Sequence, residues 1–177
     1  MAQPVIYDTC LLSHMAEIDR LPVLEYLYSD RPTPRWTPAV KREVVKGTKV
    51  PRSRDFCHRI LNLTWLEDPI EPKDTSAVLY LRSQLSKSDQ SQSANMGEAE
   101  SIILAREVSG SFMTNDFGAY GYAGRTEYLG TSRVLTACDA LHEAYNYNQM
   151  SLSDVEQAHD QIRLERNMIC ECQFKSS

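Results

Sequence analysis

Asp8 and Asp116 are the residues in this chain best suited to chemistry. Asp8 closes the apolar run Val5-Ile6-Tyr7 and is followed by Thr9, while Asp116 closes Phe112-Met113-Thr114-Asn115. Short runs of branched and aromatic residues favour buried strands. In open parallel sheets, groups at the carboxyl ends of strands are the ones presented to a ligand. Either aspartate alone suits the commoner role of helix cap; the repetition of one local setting argues for a shared site. Glu43 and Glu98 lie in segments that can each bring another carboxylate to the same point. Clustered carboxylates supply the oxygen ligands that hard divalent ions such as Mg²⁺ and Mn²⁺ take. Packed together without a cation they repel one another, so such a cluster predicts its metal.

Glu98 and Glu100 compete for one place. Each helical step turns about 100°, so residues two apart point to nearly opposite sides. Glu98 shares a side with Ile102 and Ala105, and Glu100 shares one with Glu107. Glu98 is therefore the expected ligand and Glu100 a surface or supporting acid.

The elements that must position these acids follow from periodicity. Beyond the first strand, Leu11-Leu12 and then Ile18, Leu21, Val23, Leu24 and Leu27 recur at helical spacing. The proline-rich stretch 31–38 reads as a breaker-rich connection with a very short second strand around Trp36. Thr37 and Pro38 suit the start of a helix over 39–45, ending before Gly47 and carrying Glu43. A further helix is expected from Phe56, and Leu61 to Leu66 alternates as a half-buried strand does. Residues 75–85 predict a helix, 83–93 a polar connection, and 97–107 a strong helix carrying Glu98. The strand ending at Asp116 is followed by a helical turn or two over 118–125. Tyr128 to Thr131 reads as a last short strand, with closing helices over 134–141 and 152–169. Strands alternating with helices predict an α/β fold with a mainly parallel sheet.

Composition sets outer bounds. At 177 residues the chain can bury a proper core, and its ordinary composition disfavours disordered and fibrous classes. No apolar run reaches the length of a membrane span, and the start of the chain lacks a secretory pattern, which predicts the cytoplasm. Five cysteines at 10, 57, 138, 170 and 172 are scattered without paired zinc spacing. Net charge is −5, but the segment 31–54 holds eight basic residues and one acid, leaving 11 basic residues against 23 acids elsewhere. A basic belt on an acidic molecule has the form of a phosphate-backbone footprint, and a solvated loop is its plainer alternative.

Together, Val5-Ile-Tyr-Asp8-Thr, Thr37-Pro-Ala-Val-Lys-Arg-Glu43-Val, Met96-Gly-Glu98-Ala-Glu-Ser-Ile-Ile-Leu-Ala105 and Phe112-Met-Thr-Asn-Asp116 resemble the PIN domain. The likeness is to its toxin-like bacterial and archaeal branch with a Gly-Glu helix, and it covers most of residues 4–140. It implies a three-layer α/β/α nuclease domain over 1–145, with 146–177 as a C-terminal helical extension and tail. It also implies that Asp8, Glu43, Glu98 and Asp116 are the catalytic and metal-holding acids, acting on RNA through Mg²⁺ or Mn²⁺. Thr9 and Thr114 would then orient carboxylates or bound water. Cys10 departs from the asparagine common at that place in the family.

The expected activity is hydrolysis of an RNA phosphodiester by a metal-activated water, with Lys41, Arg42 and Lys46 holding flanking phosphates. An antitoxin partner and a homodimer follow from the resemblance as expectations. Two rivals remain. A phosphatase using Asp8 as nucleophile is disfavoured because Asp8-Thr-Cys lacks the second acid of an Asp-x-Asp strand end. The other is a PIN fold that binds RNA or a partner with little or no catalysis.

Overall fold

The computed structural model describes residues 3–33, 35–86 and 95–166, with side chains to 162. Strand β1 (Val5–Tyr7) leads into helices α1 (Thr9–Glu17), α2 (Leu21–Tyr28), α3 (Pro38–Gly47) and α4 (Arg54–Leu61). Helices α5 (Thr75–Leu85) and α6 (Met96–Glu107) precede strand β2 (Ser111–Met113), helix α7 (Phe117–Ala123) and strand β3 (Val134–Leu135). Helices α8 (Ala137–Asn146) and α9 (Leu152–Arg166) close the described chain.

The strands form one parallel sheet in the order β1-β2-β3, with Ile6 opposite Phe112 and Phe112 opposite Val134. Alternate side chains leave a strand on opposite faces, and the two cores divide accordingly. Val5, Tyr7 and Met113 enter a cluster with α1, α2, α3, α8 and α9, whereas Ile6, Phe112 and Val134 enter one with α5, α6 and α7. Helices therefore cover both faces of a parallel sheet, as the α/β expectation requires.

Asp8, Thr37, Asp74, Asp116 and Thr136 each cap the helix that follows by accepting a backbone amide. Such caps fix where each helix leaves its preceding segment. Arg35 is buried and donates to the carbonyls of Tyr28, Ser29 and Arg31, closing the C-terminal end of α2. Asn115 is buried too; its Oδ1 accepts from Ala137 N at 2.9 Å and its Nδ2 lies 3.0 Å from His14 Nδ1. It thereby ties the end of β2 to α1 and α8. From the C-terminal part, Val155, Ala158 and Ile162 enter the same core as Tyr7.

Several sequence-based expectations fail in detail. Residues 61–66 form no strand: Leu61 ends α4, and Thr64–Leu66 is a 3-10 turn burying Trp65 and Leu66. The alternation there came from packing on one side of a turn. Trp36 lies outside any strand, although Tyr7 N donates to Arg35 O at 2.7 Å along the free edge of β1. Pro38, which has no amide to continue such a ladder, already starts α3. Tyr128 to Thr131 is not a strand either, because Gly130 takes φ of +74°, a value that breaks an extended run. The strand comes next, at Val134–Leu135, so α8 starts at Ala137 instead of reaching back to 134. Most of the polar connection, 87–94, lies outside the described residues, as do Cys170, Cys172 and the last part of the closing helix. No helix among the described residues is long and apolar enough to cross a membrane.

Candidate active site

Asp8 sits just past β1 and is 1% exposed. Its Oδ1 accepts from Leu11 N at 2.7 Å, and its Oδ2 accepts from the Thr114 hydroxyl. Burial drives its pKa from the ordinary 3.8 up to about 8, against the pull of those two hydrogen bonds and with the charges of Glu98 and Asp116 adding to the rise. Thr114, also buried, accepts from Asp116 N at 2.9 Å through the same hydroxyl. The end of β2 is thus linked to both aspartates through one side chain.

Asp116 is exposed and caps α7 by accepting from Ala119 N at 2.7 Å. Next to it, Phe117 is 57% exposed. Glu98, in the first turn of α6, has its pKa raised to about 7, chiefly by burial and then by the charges of Glu43 and Asp116. Its Oε2 is buried and accepts no hydrogen bond. Glu43, on α3, takes the Thr9 hydroxyl at 2.5 Å and lies against Gly97; burial raises its pKa, while the Thr9 hydroxyl, the Gly97 amide and Lys46 oppose the rise. Asp8 feels the charges of Glu98 and Asp116, and Glu98 those of Glu43 and Asp116, which puts the four acids in one electrostatic neighbourhood.

A family model for the PIN domain matches residues 4–140. The chain belongs to the PIN-domain family. No curated protein and no solved structure matches it. The match spans the sheet and the segments that carry all four acids, and it gives this chain a nuclease-type fold.

Within the PIN fold, the acids are gathered without being closed into a cage. Among the described residues no three acidic, histidine or cysteine side chains form a group ready to hold a metal ion. The reason is visible in their partners. Asp8 and Asp116 each spend an oxygen on a helix cap, and Glu43 is held by Thr9 and Gly97. Like charges also oppose closer approach of the carboxylates. The donor chemistry nonetheless fits an oxygen-seeking divalent ion, and the unpartnered Glu98 Oε2 is an acceptor that a cation would satisfy.

Of the two places expected for Glu100, the structure removes the surface one: its side chain is 12% exposed, Oε2 accepts from Ala39 N at 2.9 Å, and Oε1 lies 3.4 Å from Arg42. Gly97 is the other residue whose role sequence reasoning missed. A Cβ there would stand 2.9 Å from Glu43 Oε1, so the Met-Gly-Glu signal marks a close approach of α3 as well as a helix start. The three basic residues proposed to hold phosphates are dispersed in role. Lys46 is exposed and acts on Glu43, Arg42 pairs with Glu100, and Lys41 is half-buried with its ammonium 5.8 Å from the Trp36 ring.

Proposed function

We propose that this PIN protein is a cytoplasmic endoribonuclease that depends on Mg²⁺ or Mn²⁺. The observation that carries the reading is the meeting of four acids from β1, α3, α6 and β2 around a buried, unpartnered Glu98 Oε2. Asp8, Glu98 and Asp116, with Glu43 beside them, would hold the cation. Bound there, it would lower the pKa of a water and neutralise charge on the scissile phosphate.

The chain's own residues have separable tasks. Thr114 orients Asp8 and the Asp116 backbone, and Thr9 with Gly97 orients Glu43. Burial raises the pKa of Asp8 to about 8 and of Glu98 to about 7, so protons compete with the cation near neutrality and binding should weaken as pH falls. Lys46 is the basic side chain best placed to meet a phosphate, and the exposed Phe117 ring beside Asp116 is available to an unpaired base. RNA is the proposed substrate, an antitoxin protein the proposed partner, and a homodimer the proposed assembly.

Incubation of the purified protein with mixed cellular RNA and Mn²⁺ or Mg²⁺ tests the reading. Cleavage should require the ion and be lost, by roughly a thousandfold or more, in folded Asp8→Asn and Asp116→Asn variants. Ion-dependent cleavage retained by both variants would overturn the assignment. A second reading, RNA or partner binding without catalysis, is favoured by the absence of a ready metal-holding group among the described residues. It predicts binding of RNA with no cleavage in the same assay. Asp8 as a phosphatase nucleophile is disfavoured, because both its oxygens are engaged and it is buried.

A further inference from the structure

The first amides of a helix have no partner within it and must find one elsewhere. In α3, Thr37 accepts from Val40 N and Pro38 has no amide to satisfy, which leaves Ala39. Its amide goes to Glu100, on α6. In α6, Asn95 holds a left-handed φ of +57° and gives no side-chain cap. The Glu43 carboxylate, on α3, lies instead against Gly97 in that first turn, and the Gly97 amide favours its charged form. Ala39 and Gly97 are each the second residue of their helix. Each helix therefore supplies the anion that the other's N-terminus favours.

We infer that Glu100 is a positioning residue for Glu43: the two carboxylates cross-cap α3 and α6, and this reciprocal pair sets the register in which Glu43 meets the other acids. The Arg42 contact is secondary, since that guanidinium is 59% exposed and 3.4 Å away. On the other side of the crossing, Gly97 lets Glu43 approach more closely than a Cβ would allow. Loss of the Glu100 bond lets the N-terminus of α3 lift, and the Glu43 carboxylate moves with its helix. The consequence for cleavage rests on the nuclease reading; the mechanical coupling does not.

Amide hydrogen exchange on the full chain reads the coupling directly. In Glu100→Ala, exchange should quicken by about tenfold at Ala39 and also at Gly97, which lies against a different carboxylate, that of Glu43. Glu100→Gln keeps an oxygen acceptor and should stay near wild type at both amides. Glu43→Ala is the reciprocal variant, and there Ala39 should quicken as well as Gly97. On RNA cleavage, Glu100→Ala should lower kcat by roughly tenfold with KM little changed, and Glu100→Gln should restore most of it. If Ala39 quickens in Glu100→Ala while Gly97 keeps wild-type protection, Glu100 only caps α3 and the inference falls. Should Glu100→Ala fail to fold, the Glu43→Ala exchange decides in the same way, with an unchanged Ala39 overturning the coupling. Absence of cleavage by the wild-type protein would sink the nuclease reading and leave the exchange result standing.

Discussion

At the scale of the residue, Asp8 and Glu98 carry the largest consequences of the site's burial. Their pKa values rise from 3.8 to about 8 and from 4.5 to about 7, so the folded protein holds protons that the unfolded chain has already released. Stability linked to a raised pKa is complete below the unfolded value and is lost as pH climbs through the folded one. The metal-free protein should therefore melt at progressively lower temperature between about pH 4 and about pH 8. Asp8→Asn, which cannot ionise, should flatten that decline. Mn²⁺ should flatten it too, by offsetting the carboxylate charge as the protons leave. Thermal melts across that range check the sign, and a melting temperature that rises steadily towards the alkaline end would refute it.

At the scale of the element, the crossing of α3 and α6 explains why a glycine precedes Glu98. Alanine is favoured over glycine in a helix by up to about 1 kcal/mol. At Gly97, though, the new methyl would meet Glu43 Oε1 at 2.9 Å. The obstructing atom is the end of a flexible side chain, so Glu43 can swing aside at small cost to the fold. Gly97→Ala should leave melting unchanged or slightly raised while cutting nuclease activity by at least tenfold. Parallel melting and cleavage assays test this split, and a fully active variant would show that the Glu43 position is immaterial. The same crossing shows what local pattern could not reveal. Helical phasing put Glu98 and Glu100 on different sides of α6 and left Glu100 a surface or supporting acid, because its acceptor role depends on an amide 61 residues away.

At the scale of the whole molecule, the sheet is short and the helices on its two faces supply most of the core. The segment after residue 146 is part of that packing, since Val155, Ala158 and Ile162 are buried against α8 and the cluster around Tyr7. Fully burying a Val or Ile side chain contributes about 1.5–3 kcal/mol. Truncation before Ser151 should thus destabilise the protein by roughly 3–6 kcal/mol through Val155 and Ile162. Denaturant unfolding of the truncated chain measures it, and unchanged stability would mark α9 as a dispensable appendage.

Periodicity and capping chemistry alone determined the α/β class, the helices around Glu43 and Glu98, and the two short strands that precede Asp8 and Asp116; β2 itself ends at Met113, and Asp116 caps α7. These are local properties, written in the spacing of apolar residues and in the hydroxyls and acids beside them. The same local signals misplaced a strand at 61–66 and another at 128–131, where one-sided packing and the positive φ of Gly130 overrode alternation. Only the tertiary structure decided how the acids divide their oxygens between helix caps, threonine hydroxyls and an unpartnered buried position. That division depends on which amides and charges the fold brings within about 3 Å of each carboxylate, and neighbours in space are not neighbours in sequence.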